Sequence, residues 1–126
     1  MIRGMILTES LIDQSYLVRG NFKIEERYPM LMDGIKPVEV VIISIEKSNL
    51  FTTLIDISKL LLPKGFYAHF VEYNLMYVVY PSTITVVEKG NKLDSQLCIE
   101  LGHRFGIPEY QLPIDRMFEF RHSEHD

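Results

Sequence analysis

The chain has 126 residues, 47% of them apolar and 24% charged, with a formal net charge of −4 and a single cysteine. These are the values of one ordinary globular domain, and they exclude a disordered chain, an intramolecular disulfide framework and a thiolate zinc cluster. Lysines and arginines are scattered rather than gathered in a stripe, which argues against duplex nucleic acid as a partner. The scaling of surface area with mass gives roughly 21,000 Å² for the unfolded chain and about 7,000 Å² folded, enough burial for a core without staples.

In chain order, residues 5–8 are a short apolar stretch that reads as a strand, and residues 13–18 as one or two helical turns with Asp13 at the N-cap. Phe22-Lys23-Ile24-Glu25 alternates like a half-buried strand. Tyr28-Pro29 and Asp33-Gly34 then carry turn chemistry and are expected to interrupt it. Residues 38–46 form the clearest strand. Val38, Val40 and Ile42 share one face and Val41, Ile43 and Ile45 the other, the mark of a strand covered on both sides. The same run is the longest strongly apolar one and is far too short to span a bilayer.

Ser48 is an N-cap candidate for a helix whose Leu50, Leu54, Ile57 and Leu61 recur at helical spacing, ended by Pro63. Three strands follow, at 66–72, 75–80 and 83–88, separated by Tyr73-Asn74 and Pro81-Ser82. Connections so short force antiparallel pairing, a meander. The last helix runs to Phe105 with Leu93, Leu97, Leu101 and Phe105 as its expected buried stripe, and Gly106, Ile107 and Pro108 mark its end. From about residue 115 the chain is a polar tail interrupted by Met117, Phe118 and Phe120. The expected fold is a single α+β domain over 1–126: a mostly antiparallel sheet with a three-stranded meander and two main helices on one face. Met1 and Met5 both read as possible starts, and the cytoplasm is the expected compartment, since no signal-peptide pattern opens the chain.

Two stretches, Leu61-Leu62-Pro63-Lys64-Gly65-Phe66-Tyr67-Ala68-His69-Phe70 and Leu101-Gly102-His103-Arg104-Phe105-Gly106-Ile107-Pro108-Glu109-Tyr110-Gln111-Leu112, give the second half of the chain a resemblance. It resembles a group of small uncharacterised prokaryotic proteins with a helix, a proline-glycine turn, a Tyr-Ala strand and a terminal Gly-Ile-Pro-Glu segment in that order. The shared residues are caps and strands, so the resemblance implies no activity and no site residues.

His69 and Tyr67 are the candidate site residues. They alternate with Phe66, Ala68 and Phe70, so with the phenylalanines in the core they share the opposite face and can line a cleft. A histidine there can act as a general base, but it needs a carboxylate or nucleophile partner, and none stands at a recognisable spacing. Tyr67 and Tyr77 are expected as cross-strand neighbours about Tyr73-Asn74. Cys98 reads as a small core hydrophobe. It lies five residues from His103, about 140° around a helix, so the two do not face one metal. His122 and His125, three apart in the tail, offer adventitious metal binding at most. Gly90, Gly102 and Gly106 do not fit a phosphate loop, and Glu25-Glu26 points to opposite faces of a strand. The sequence therefore predicts no cofactor and no metal site.

Three functional readings follow. The favoured one is a non-enzymatic binding or interaction domain that self-associates as a homodimer. This follows from the high apolar fraction and from sheet edges that need covering. The second is a small enzyme or ligand-binding protein with a cleft at His69 and Tyr67, and the third a partner-specific inhibitor or immunity-type protein.

Overall fold

Apolar side chains on both sides of residues 38–45 demand cover on both faces of a sheet, and the computed structural model, which describes residues 2–120, supplies it. Six strands, β1 (Ile2–Leu7), β2 (Lys23–Met32), β3 (Lys36–Ile45), β4 (Ala68–Glu72), β5 (Leu75–Tyr80) and β6 (Thr83–Glu88), form one antiparallel sheet in the order β2-β3-β1-β4-β5-β6. The helices are α1 (Tyr16–Arg19), α2 (Leu50–Leu60), α3 (Lys92–Arg104) and α4 (Ile114–Met117). The α+β class and the β4-β5-β6 meander are as the sequence indicates. Met1, His122 and His125 lie outside the described residues.

The two main helices, expected on one face, divide between the two. Leu50, Leu54 and Ile57 of α2 pack on Ile43, Ile45, Phe70, Tyr77 and Val79. Cys98 of α3 packs on Met76, Val78, Tyr80 and Val87. Residues 76 to 80 of β5 alternate between these two sets, so the helices lie on opposite sides of it. The cause is β5 itself: Met76 to Tyr80 is apolar at every position, and each face needs its own cover.

Pro29 does not break its strand. β2 continues through it to Met32 and pairs with β3 throughout, with one bulge between Ile24 and Glu26. A sheet edge is where proline is tolerated, because its missing N–H can face away from the ladder, and β2 is an edge. The turn chemistry expected of Asp33-Gly34 is present at the end of the strand. Both residues are left-handed, at φ 56° and 69°. They are the central pair of a primed turn closed by the Ile35 N–H bonding Met32 O at 3.2 Å. Ile35 is then one extra residue, because Met32 pairs with Lys36.

The stripe expected to bury α3 is displaced. Leu93 and Leu97 are exposed, and Cys98 and Gly102 are the buried residues. Small residues let the helix approach Tyr80 closely: a Cβ on Gly102 would lie 2.5 Å from Leu112 Cδ1 and 3.1 Å from Tyr80 Oη. The helix ends as expected. Gly106 is left-handed at φ 77°, its N–H bonds His103 O, and the Ile107 N–H bonds Gly102 O, which is the usual glycine-capped exit. The segment after it turns back over the sheet on the α3 side. Ile114, Met117 and Phe118 are buried there against this same chain.

Candidate functional site

β4 sits in mid-sheet between β1 and β5, and its register sets Met5 beside His69 on one side and Val78 on the other. Tyr67, just before β4, and His69 share the face opposite Phe70, as their alternation predicts, and both line one cleft. Across the hairpin, however, Tyr77 stands opposite Phe70, and Tyr67 meets Tyr80, with ring centroids 6.4 Å apart. A two-residue turn pairs Glu72 with Leu75, so residue numbers of partners sum to an odd value, which separates 67 from 77.

The cleft lies where three apolar clusters meet: one around Met5, Met30 and Val40, one around Leu54 and Phe70 that includes Phe66, and one around Met76, Tyr80 and Cys98 against which Tyr67 packs. Its wall is Met5, Met30, Met32 and Phe66, joined by Tyr67 and His69 and by Gln111 and Pro113 from the chain after α3. About 50 Å³ is open to the centres of water-sized molecules. A single water needs about 10–15 Å³ on that measure, so several waters or a group of similar size fit.

The C-terminal segment, residues 109–120, forms a strap over this face, and the two candidate side chains hold it. Tyr67 Oη donates to Gln111 O at 2.5 Å, and His69 Nε2 lies 3.0 Å from Met117 O. A carbonyl only accepts, so Nε2 carries the proton. Phe120 stacks on the His69 ring, centroids 5.1 Å apart, and the Arg3 guanidinium lies 4.8 Å from the centre of the Phe120 ring, within cation–π range. At the other end Gln111 Nε2 donates to both Asp33 carboxylate oxygens, at 2.9 and 3.1 Å, tying the strap to the β2–β3 turn.

His69 is 2% exposed, so the imidazole is a buried polar group held by a hydrogen bond rather than a base open to substrate. Beyond Tyr67, Tyr80 Oη donates to Cys98 O at 2.7 Å and lies 3.3 Å from Cys98 Sγ. Burial, reinforced by Cys98, pushes the Tyr80 phenol far up, and burial pushes the Cys98 thiol up as well. A nucleophilic cysteine needs the reverse shift. Among the described residues no three His, Cys, Asp or Glu side chains converge as a metal site would require, and no helix is long and apolar enough to cross a membrane.

Sequence reasoning misses the methionine wall. Met5 lies in a stretch that reads as a strand, with nothing local to mark it as part of a cleft. Met30 and Met32 are hidden by the turn chemistry of Tyr28-Pro29. Comparison with protein-family models, curated proteins and solved structures finds no match to this chain.

Proposed function

We propose that this protein is a non-enzymatic binding domain whose cleft takes a small, uncharged aromatic molecule, or the aromatic end of a larger one. One observation carries the reading: the polar side chains expected to do chemistry, Tyr67 and His69, hold backbone carbonyls of the strap, while the rest of the wall is mostly thioether and aromatic. Apolar walls with a few fixed polar groups are the usual character of small-molecule sites. Methionine suits such a wall, because its flexible, polarisable thioether adapts to shape and contacts ring edges favourably. The hollow limits the buried part of the ligand to the edge of one ring, since about 50 Å³ is about a third of the ~150 Å³ cavity that encloses a whole benzene.

The test is a titration with phenol and with indole, followed through the methyl resonances of the six methionines. The expected result is saturable shifts at Met5, Met30 and Met32, with Met76 on the far side of His69 unmoved. Uniform or absent shifts up to millimolar probe would overturn the reading.

A further inference from the structure

The sheet has two edges, β2 and β6, and only one of them is defended. β2 carries a bulge, Pro29, and the charges of Lys23, Glu25, Glu26 and Arg27, the devices by which natural proteins keep an edge from pairing. β6 reads Thr83-Ile84-Thr85-Val86-Val87-Glu88. It has no proline, no glycine, an unbroken register with β5, and no charge before its last residue.

The open side of β6 is also apolar. Ile84 and Val86 are 37% and 46% exposed and lie on the α2 face, opposite Val79 and Tyr77. Phe51 of α2, exposed as well, packs edge-on against Tyr77 at 6.0 Å. Ile55 stands one turn further along the same helix. These four side chains form one apolar strip beside the edge.

The backbone adds direction. Glu88 N–H bonds Asp94 Oδ2 at 2.9 Å, so it points away from β5. In an antiparallel ladder alternate residues turn both amide groups to the same side, so Ile84 and Val86 turn theirs outward too.

We propose that two copies of this chain pair antiparallel through β6, about a two-fold axis at Thr85, to make one continuous sheet of both six-stranded halves. This goes beyond the cleft reading and does not depend on it. In this register Ile84 faces the partner's Val86, and Val86 the partner's Ile84. All four outward-turned residues exchange hydrogen bonds, and the apolar strips of the two copies join on one face. Thr85 meets its own copy in a non-hydrogen-bonded pair, where side chains approach most closely and threonine pairs are favourable. The neighbouring registers are poorer. With Val86 facing itself, Ile84 meets Glu88, whose N–H Asp94 already holds. With Ile84 facing itself, Val86 meets Ser82, whose N–H already bonds Ser58 O. A two-fold contact of this kind uses the same patch on both copies and closes after two.

The experiment uses the full chain. Light scattering at micromolar concentration is expected to give twice the mass of one chain. Thr85→Cys is expected to form a disulfide-linked dimer under mild oxidation, while the unsubstituted chain, whose Cys98 is buried, forms none. Ile84→Lys is expected to weaken association at least about tenfold with an unchanged circular dichroism spectrum, as an edge lysine does elsewhere. A monomer across this concentration range overturns the proposal. So does a dimer that survives Ile84→Lys, or one that leaves Thr85→Cys uncrosslinked, since either places the interface elsewhere.

Discussion

Tyr80 on β5 and Cys98 on α3 are joined by the hydrogen bond from the phenol to the Cys98 carbonyl, and this bond, 2.7 Å long in a fully buried setting, fixes how far the helix stands from the sheet. Phe105 stacks on the same ring at 5.4 Å. Tyr80→Phe removes the donor and keeps the ring. It should cost about 0.5–1.5 kcal/mol, the net worth of one buried hydrogen bond, because Cys98 O retains its place in the helix ladder. Denaturant melts read this directly, and no loss of stability would mean the bond is not formed in solution.

The same spacing makes Gly102 sensitive. An added methyl would crowd Leu112, itself fully buried, and Tyr80 Oη. Alanine favours the helix over glycine by up to about 1 kcal/mol, but overpacking a tight contact costs about 1–3 kcal/mol. Gly102→Ala should therefore come out destabilising, by up to about 2 kcal/mol once the full helix gain is subtracted. A stabilised variant would show that α3 can lift without cost.

The two long helices should respond differently to leucine truncation. Leu54 is fully buried at the centre of α2, and Leu54→Ala should cost about 2–5 kcal/mol. Leu97, on the stripe that periodicity assigns to the core of α3, is 49% exposed. Leu97→Ala should therefore stay within about 0.5 kcal/mol, as surface substitutions usually do. Chemical denaturation of the two variants side by side decides whether α3 faces the sheet with its small residues.

That contrast shows what the sequence can carry. Periodicity locates every main element, because β-branched runs, Gly-Ile-Pro and two-residue turns are local signals. It misplaces the face of α3 because packing there selects small residues, Cys98 and Gly102, and a hydrophobicity pattern rewards large ones. The strand through Pro29 escapes it because tolerance of proline depends on being at an edge, a tertiary fact. The placing of Tyr67 and His69 on one face follows from alternation alone, whereas their tie to Gln111 and Met117 does not, since those residues lie 44 and 48 positions away.

The strap gives a prediction that separates its role from self-association. Ending the chain after Pro113 removes the buried Ile114, Met117 and Phe118 and uncovers His69. Each of those side chains contributes about 1.5–3 kcal/mol when fully buried. Stability should fall by several kcal/mol without a change in particle mass, since the strap docks on its own domain and leaves β6 untouched. His69→Ala should cost less, about 1–3 kcal/mol, through the lost hydrogen bond and the lost Phe120 stack. In that variant hydrogen exchange should quicken at the amides of residues 116–120 before those of β5. Equal protection in both places would show that His69 does not hold the strap.

Alkali should unfold the protein through protons that burial retains. Tyr16 is buried, and its hydroxyl lies 3.3 Å from Asp56 Oδ2. Burial first, then the Asp56 charge and hydrogen bond, raise its pKa from 10.0 to about 12. Tyr80 and Cys98 shift in the same direction, from ordinary values of 10.0 and 9.0. The unfolded chain releases these protons near their ordinary values while the folded chain keeps them, so above about pH 9 the unfolded state binds fewer protons and stability falls with pH. Each contribution is complete below the unfolded pKa and, for Tyr16, is lost as pH rises from 10.0 through about 12. Thermal melts between about pH 8 and about pH 11.5 should therefore drop steadily above about pH 9, with tyrosinate absorbance of the buried rings appearing only as the fold is lost. Tyr16→Phe should flatten the upper part of that curve. A melting temperature constant to about pH 11 would rule out proton retention in the folded state.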